Sequence, residues 1–239
     1  MQITFLGTRG YIKVKSRRHR RHTMTRITYK KTTILVDCGL DWLGKWEKYN
    51  PDAIILTHAH PDHAFGLQNG ADCPVYATQE SFNCIAHFPL TDTHIVKPGK
   101  KYTIGSMQIE PIFVVHSLRC PAVGYRITAD NRTIFIAHDI ISIPERHKAL
   151  KNIDLYIGDG ASITRPIIRR KDDKLFGHTT IRAQIGWCQK EKVPRAIFTH
   201  CGTQIVSGDE RALGAKVRAL GKERDVDARI AYDELEILL

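Results

Sequence analysis

The chain has 239 residues, 42% hydrophobic and 26% charged, a balance that can fill a core and argues against a disordered chain. Lys and Arg number 36 against 25 Asp and Glu, and the resulting +11 would draw in an anionic substrate. No apolar run approaches bilayer-spanning length, Met1–Leu6 reads as a strand rather than an export signal, and the six cysteines include no Cys-x-x-Cys pair; these exclude a membrane partner, a disulfide framework and a zinc knuckle, and the expectation is one cytoplasmic domain over residues 1–239.

In chain order, apolar and β-branched runs predict strands over 2–6 and 26–37, a helix near 40–49, a strand over 53–57 and a helix near 78–87. Strands at 107–115, 122–137 and 153–157 follow, then a helix at 179–191, a strand at 195–199, a helix at 208–220 and a last strand at 227–238. Pattern alone says α/β. No segment reads as a long protruding arm. Two basic clusters interrupt the pattern: one between the first two strands holds Arg17, Arg18, Arg20 and Arg21, and the other holds Arg165, Arg169, Arg170, Lys171 and Lys174. Each can be a solvated loop or a surface that contacts phosphates.

The densest chemistry follows the apolar run Ala53–Leu56, where His58, Ala59, His60, Pro61, Asp62 and His63 set three imidazoles and a carboxylate in six positions. A histidine-rich surface turn is the alternative. Metal binding accounts for the spacing better, because an ion relieves the cost of crowding these groups together. Imidazole with carboxylate suits zinc, manganese or iron. His116 follows Ile112–Val115, Asp139 follows Ile134–Ala137, and His200 follows Ala196–Thr199, so each ends an apolar strand. That repetition predicts one sheet edge carrying all of them.

On those residues the chain resembles the metallo-β-lactamase superfamily, with its His-x-His-x-Asp-His run followed by a distant His, Asp and His. The resemblance implies an αββα sandwich, two mixed β-sheets with outer helices. It implies two divalent ions, zinc or manganese with iron also compatible: His58, His60 and His116 on one, Asp62, His63 and His200 on the other, and Asp139 between them. Asp37, ending Ile34–Val36, matches an aspartate that orients the metal loop. His138 departs from the family pattern, where Gly or Ser more often precedes the aspartate.

Gly177-His178-Thr179-Thr180 is similar to a segment of the tRNA 3′-end endonucleases (tRNase Z) and the cyclic ribose-phosphate diesterases, which implies that His178 stands beside the leaving group and that Asp159 pairs with it. The plainer readings are a helix cap, which Thr179 could supply, and ordinary turn chemistry for Asp159 between glycines. Two ions about 3.5–4 Å apart activate water and polarise a phosphoryl oxygen together, and Asp62 would both hold an ion and orient that water. The implied function is a dinuclear phosphodiesterase, a nuclease on RNA or single-stranded DNA, with Arg17, Arg18, Arg20, Arg21, Arg169 and Arg170 as candidate substrate contacts. A diesterase for a small cyclic nucleotide or ribose phosphate is the runner-up. A thioester or lactone hydrolase and a non-catalytic nucleic-acid-binding protein stand behind it. Oligomeric state is left open, a homodimer included.

Overall fold

The computed structural model describes residues 1–239. Its strands are β1 (Gln2–Gly7), β2 (Met24–Tyr29), β3 (Thr32–Val36), β4 (Ala53–Ile55), β5 (Val75–Ala77), β6 (Thr93–Ile95), β7 (Tyr102–Ile104), β8 (Met107–Val114), β9 (Ala122–Ala129), β10 (Arg132–Ile136), β11 (Leu155–Asp159), β12 (Ile167–Lys171), β13 (Lys174–His178), β14 (Arg195–Thr199), β15 (Asp227–Ile230) and β16 (Leu235–Leu238). One sheet runs β16-β1-β2-β3-β4-β5-β6 and a second runs β15-β14-β11-β10-β9-β8-β7. Strands β3 to β6 are mutually parallel, as are β10, β11, β14 and β15, while the remaining neighbours are antiparallel. Both sheets are therefore mixed.

Alternating side chains explain the layering. Ile3, Phe5, Ile27 and Ile34 of the first sheet meet Tyr125, Ile127, Ile136 and Ile157 of the second in a central core. Each such side chain contributes about 1.5–3 kcal/mol on burial. On the far side of the second sheet, Phe135, Tyr156 and Phe198 pack under α3 (Arg146–Leu150), α4 (Ile181–Lys190), α5 (Thr203–Val206) and α6 (Glu210–Lys222). On the far side of the first, Leu35, Ile54 and Leu56 pack under Trp42, Trp46, α1 (Pro61–Ala64) and α2 (Gln79–Cys84). The order of layers is helix, sheet, sheet, helix, as expected from the resemblance. No helix is long and apolar enough to cross a membrane.

Several expected elements differ. The strand over 26–37 is the hairpin β2–β3, broken where Lys30 takes a φ of 53°. The strand over 122–137 likewise breaks into β9 and β10 at Asp130, with a φ of 55°. The strand over 227–238 becomes β15 and β16, which join different sheets after Glu234 turns at a φ of 69°. The helix near 40–49 is two short 3₁₀ turns, Leu40–Trp42 and Glu47–Tyr49, because Gly44 between them lies at a φ of 65°. The hairpin β12–β13 was not expected at all. It pairs with neither sheet and stands out beside the rim where the parallel strands end.

Candidate metal centre

Parallel strands deliver their carboxyl ends to one rim, the usual place for a site in such sheets. Asp37 follows β3, His58 follows β4, Asp139 follows β10, Asp159 ends β11 and His200 follows β14. His60 is extended, and Pro61 then opens α1, its ring occupying the first helical position where no N–H is needed. That switch from extended to helical backbone places His58 and His60 on one side and Asp62 and His63 on the other.

The structure brings the seven candidate ligands together. His58, His60, His116 and Asp139 form one group, and Asp62, His63 and His200 form another, with ligand atoms within 4.8 Å of one another in each. Asp139 faces both. Its Oδ2 lies 3.2 Å from His116 Nε2 and 3.7 Å from His58 Nε2, while its Oδ1 lies 2.9 Å from His200 Nδ1 and 3.4 Å from His63 Nε2. Asp62 Oδ2 is 2.9 Å from His200 Nε2 and 3.4 Å from His63 Nε2.

Whether an ion suits the cluster can be read from its unmet valences. Six buried side-chain polar atoms in the chain lack a hydrogen-bond partner, and four of them are His63 Nε2, His116 Nε2, Asp139 Oδ1 and His200 Nδ1. Buried polar atoms are rarely left so. Here they converge on one another at distances where the angles for hydrogen bonding fail, which is what a shared cation would require. The nitrogen and carboxylate donors fit a divalent metal.

Neighbouring groups set the tautomers. Asp37, wholly buried, accepts from Thr57 N at 2.7 Å, Thr57 Oγ1 at 2.8 Å, His63 Nδ1 at 2.7 Å and His138 Nδ1 at 2.6 Å. Burial pushes its carboxyl up, but the His63 imidazole and the bonds from His138 and His63 hold it below its ordinary value. With Nδ1–H committed to Asp37, Nε2 of His63 is the atom that would face an ion, the arrangement that supports metal-binding imidazoles. His116 donates Nδ1–H to the Gly177 carbonyl at 3.0 Å, and Gly177 N–H returns a bond to the His116 carbonyl at 2.8 Å. That exchange needs glycine, since Gly177 has a φ of 120° and a Cβ there would meet the Ile167 carbonyl oxygen at 2.0 Å. His138, which departs from the family pattern, thus shares Asp37 with His63; its position directly before Asp139 was the one available signal.

His178 Nδ1 lies 2.7 Å from Asp159 Oδ2. Burial lowers the His178 pKa, but the Asp159 charge and hydrogen bond outweigh it and raise the ring above its ordinary value. Asp159 also accepts from Ala161 N at 2.7 Å and Ile140 N at 3.1 Å, so turn chemistry and pairing with His178 coexist. His178 does not cap α4. Thr180 does, accepting from Ala183 N at 3.0 Å. With Nδ1 held by Asp159, only Nε2 of His178 is available to the cleft it lines.

That cleft has a volume of about 1070 Å³ and is lined by His60, Asp62, His116, Asp139, His178 and His200 together with Tyr11, Ser117, Arg165, Arg169, Phe176 and Gln204. Ser117 was missed, and its Oγ lies 3.3 Å from His60 Nε2. The expected basic contacts are only partly there. Arg169 lines the cleft, whereas Arg17, Arg18, Arg20, Arg21 and Arg170 do not. Asp233 accepts from the Arg20 and Arg21 backbone at 2.9 and 3.3 Å and pulls that loop away, Arg18 lies 3.6 Å over the Tyr232 ring and pairs with Glu210, and Arg21 covers Trp42. Arg17 and Arg18 instead border a separate cavity of about 360 Å³ beside α6. The loop after β1 reaches the rim with Gly10, Tyr11 and Ile12. All six cysteines are free, and Cys201, beside His200, packs in the core beneath the helices.

Residues 32–201 match the family described as the β-lactamase superfamily domain. A Ribonuclease Z of Methanopyrus kandleri is 29% identical over 142 residues, which cover 52% of this chain and 49% of that protein. The chain thus spans about half the length of that relative. Among solved structures, the metallo-β-lactamase fold protein YhfI of Bacillus subtilis aligns with a TM-score of 0.75 at 18% identity, covering 99% of this chain and 98% of that one. A diphosphatase of the PhnP family aligns with a TM-score of 0.76 at 19% identity, over 100% and 97%. With a matched span from β3 to the end of β14 and the same layered sheets, the chain belongs to the β-lactamase superfamily and has the metallo-β-lactamase fold.

Proposed function

We propose that residues 1–239 act as one catalytic domain, a dinuclear metal-dependent phosphodiesterase that hydrolyses RNA or single-stranded DNA. The observation that carries this is Asp139, which turns one oxygen to each of two groups of histidine and carboxylate donors. His58, His60 and His116 would hold one ion, Asp62, His63 and His200 the other, with Asp139 shared; zinc and manganese suit the donors best and iron also fits. Such ions, when bound, supply Lewis acidity and an activated water to a phosphodiester.

The chain's own groups do the rest. Asp62 orients the attacking water from the inner wall. Arg165 attracts the scissile phosphate and stabilises charge that builds on it. His178 carries a proton on Nε2 toward the leaving ribose oxygen, and Asp159 on its Nδ1 keeps the ring protonated and aimed, a task suited to a positioned imidazole. The resemblance to Ribonuclease Z, named for RNA, supports the polynucleotide substrate.

A second reading, a diesterase for a small cyclic nucleotide or ribose phosphate, is favoured by one observation: five of the six candidate substrate arginines are turned from the cleft. The deciding experiment is a panel of RNA, single-stranded DNA and cyclic phosphates, incubated with protein loaded with zinc, manganese or iron in turn. Oligonucleotide cleavage supports the nuclease; turnover of cyclic phosphates alone supports the second reading, and no phosphodiester turnover with any metal refutes both.

A further inference from the structure

The hairpin β12–β13 has a cleft face and an outer face, fixed by its register. Ile167 pairs with His178, Arg169 with Phe176 and Lys171 with Lys174, while Ile168 opposes Gly177 and Arg170 opposes Leu175. Side chains alternate across a strand, so the first three pairs share a face and the other two share the opposite one. The cleft wall includes Ile167, Arg169, Phe176 and His178 and none of Ile168, Arg170 or Leu175; Gly177, without a side chain, borders it through its backbone, and the wall stops short of Lys171 and Lys174 at the hairpin's far end. Two adjacent arginines therefore point opposite ways.

From this we infer that the cleft face of the hairpin is a docking strip for single-stranded nucleic acid, with Phe176 stacking a base and Arg169, Lys171 and Lys174 contacting phosphates beyond the scissile one. The inference rests on the phosphodiesterase reading above and specifies its substrate. Phe176 belongs to none of the three cores, although it is half-buried and sits on the wall of the cleft. Its ring is thus free to take a base, the interaction single-strand binders use without sequence preference. Arg169, Lys171 and Lys174 are exposed, and no carboxylate pairs with any of them. Along a strand, every second residue advances roughly 7 Å, so the strip extends about 14 Å outward from His178. A small diester at the rim would not reach its far end. Bases within a duplex stay stacked on their neighbours, so an aromatic wall selects for unpaired strands.

The base of the strip is fixed to the site itself, because Gly177 exchanges two hydrogen bonds with His116. A strand lying along the hairpin is thereby held in register with the rim.

The test compares Arg169→Ala, Phe176→Ala and the double variant Lys171→Ala/Lys174→Ala with the outer-face control Arg170→Ala, in metal-loaded protein. The readout is the ratio of kcat/KM on a fluorescent single-stranded twelve-nucleotide RNA to that on bis-p-nitrophenyl phosphate, with circular dichroism to check the fold. Each cleft-face variant is expected to lower the ratio by about tenfold, and Arg170→Ala by less than about twofold. Arg169→Ala should also flatten the slope of log affinity against log salt by about 0.7. Equal losses for Arg169→Ala and Arg170→Ala would overturn the inference, because general charge and not the face would then matter. An unchanged ratio for Phe176→Ala would overturn it too. Should the wild-type protein turn over the small diester but neither bind nor cleave RNA or single-stranded DNA, the nuclease reading fails and the strip with it; wild-type cleavage with indifferent hairpin variants removes the strip alone.

Discussion

Asp37→Asn probes the support of the metal centre without removing any candidate ligand. Three donors converge on Asp37 Oδ2, from Thr57, His63 and His138, and the Thr57 amide occupies Oδ1. An asparagine can keep its oxygen at the Oδ2 position, but its NH₂ then faces the Thr57 N–H, two donors without an acceptor. Leaving a buried donor unmet costs about 1–3 kcal/mol. The two imidazole bonds lose the carboxylate charge and roughly half their strength. Together these give a loss of roughly 2–5 kcal/mol, or about 5–15 °C in Tm for a chain of this size. Weaker restraint of His63 Nδ1 also frees the ring to place its proton on Nε2, where the metal would bind, and loss of such a supporting partner typically costs 10–100-fold in metal affinity. The assay is competition for zinc against a chromophoric chelator, paired with thermal melting. Asp52→Asn is the control, since Asp52 accepts a single backbone bond, from Thr33 at 2.7 Å, at an exposed position. Metal affinity within about twofold of wild type in Asp37→Asn would refute the argument that this carboxylate fixes the imidazole.

Three further outcomes are expected. His178→Ala should leave bound metal unchanged and lower kcat on single-stranded RNA by about a hundredfold, the scale of a positioned proton donor, while sparing bis-p-nitrophenyl phosphate, a diester whose nitrophenolate leaves without a proton; a loss on RNA below about tenfold would remove His178 from the chemistry. His63→Ala should reduce bound metal from two ions to one and abolish nearly all hydrolysis of that diester, and full activity would contradict a second ion. His19 is buried with its Nδ1 2.8 Å from Thr8 Oγ1, and burial followed by the Arg18 charge lowers its pKa from 6.5 to about 4. The unfolded chain therefore takes up this proton first, so the contribution of neutral His19 is complete above pH 6.5 and lost as pH falls from 6.5 to 4. The Tm advantage of wild type over His19→Asn should shrink across that window; a constant difference would show that His19 keeps its ordinary pKa.

Much of the centre was legible because His58, Asp139 and His200 each follow an apolar run that forms a parallel strand, and such strands carry those positions to one rim; His116 follows the apolar run of the antiparallel β8. His58 through His63 needed only local sequence, with Pro61 marking where the backbone turns helical. What escaped depends on distant partners. The orientation of the arginine loop is decided by Asp233, 213 residues from Arg20, and no local pattern shows that bond. Hairpin β12–β13 is solvent-exposed along most of its length, so Ile167-Ile168-Arg169-Arg170-Lys171 carries no buried alternation to mark it as a strand. Strands β5 and β6 have three residues each, too few for a period to register. The role of His138 became visible only when Asp37, from the other sheet, proved to accept from it at 2.6 Å.

The central claim is a pair of cations bridged by Asp139, and anomalous diffraction from crystals of the zinc-loaded protein tests it most directly. The account predicts two peaks, one among His58, His60 and His116 and one among Asp62, His63 and His200, with a separate oxygen of Asp139 on each. A single peak, or peaks that Asp139 does not join, would contradict it.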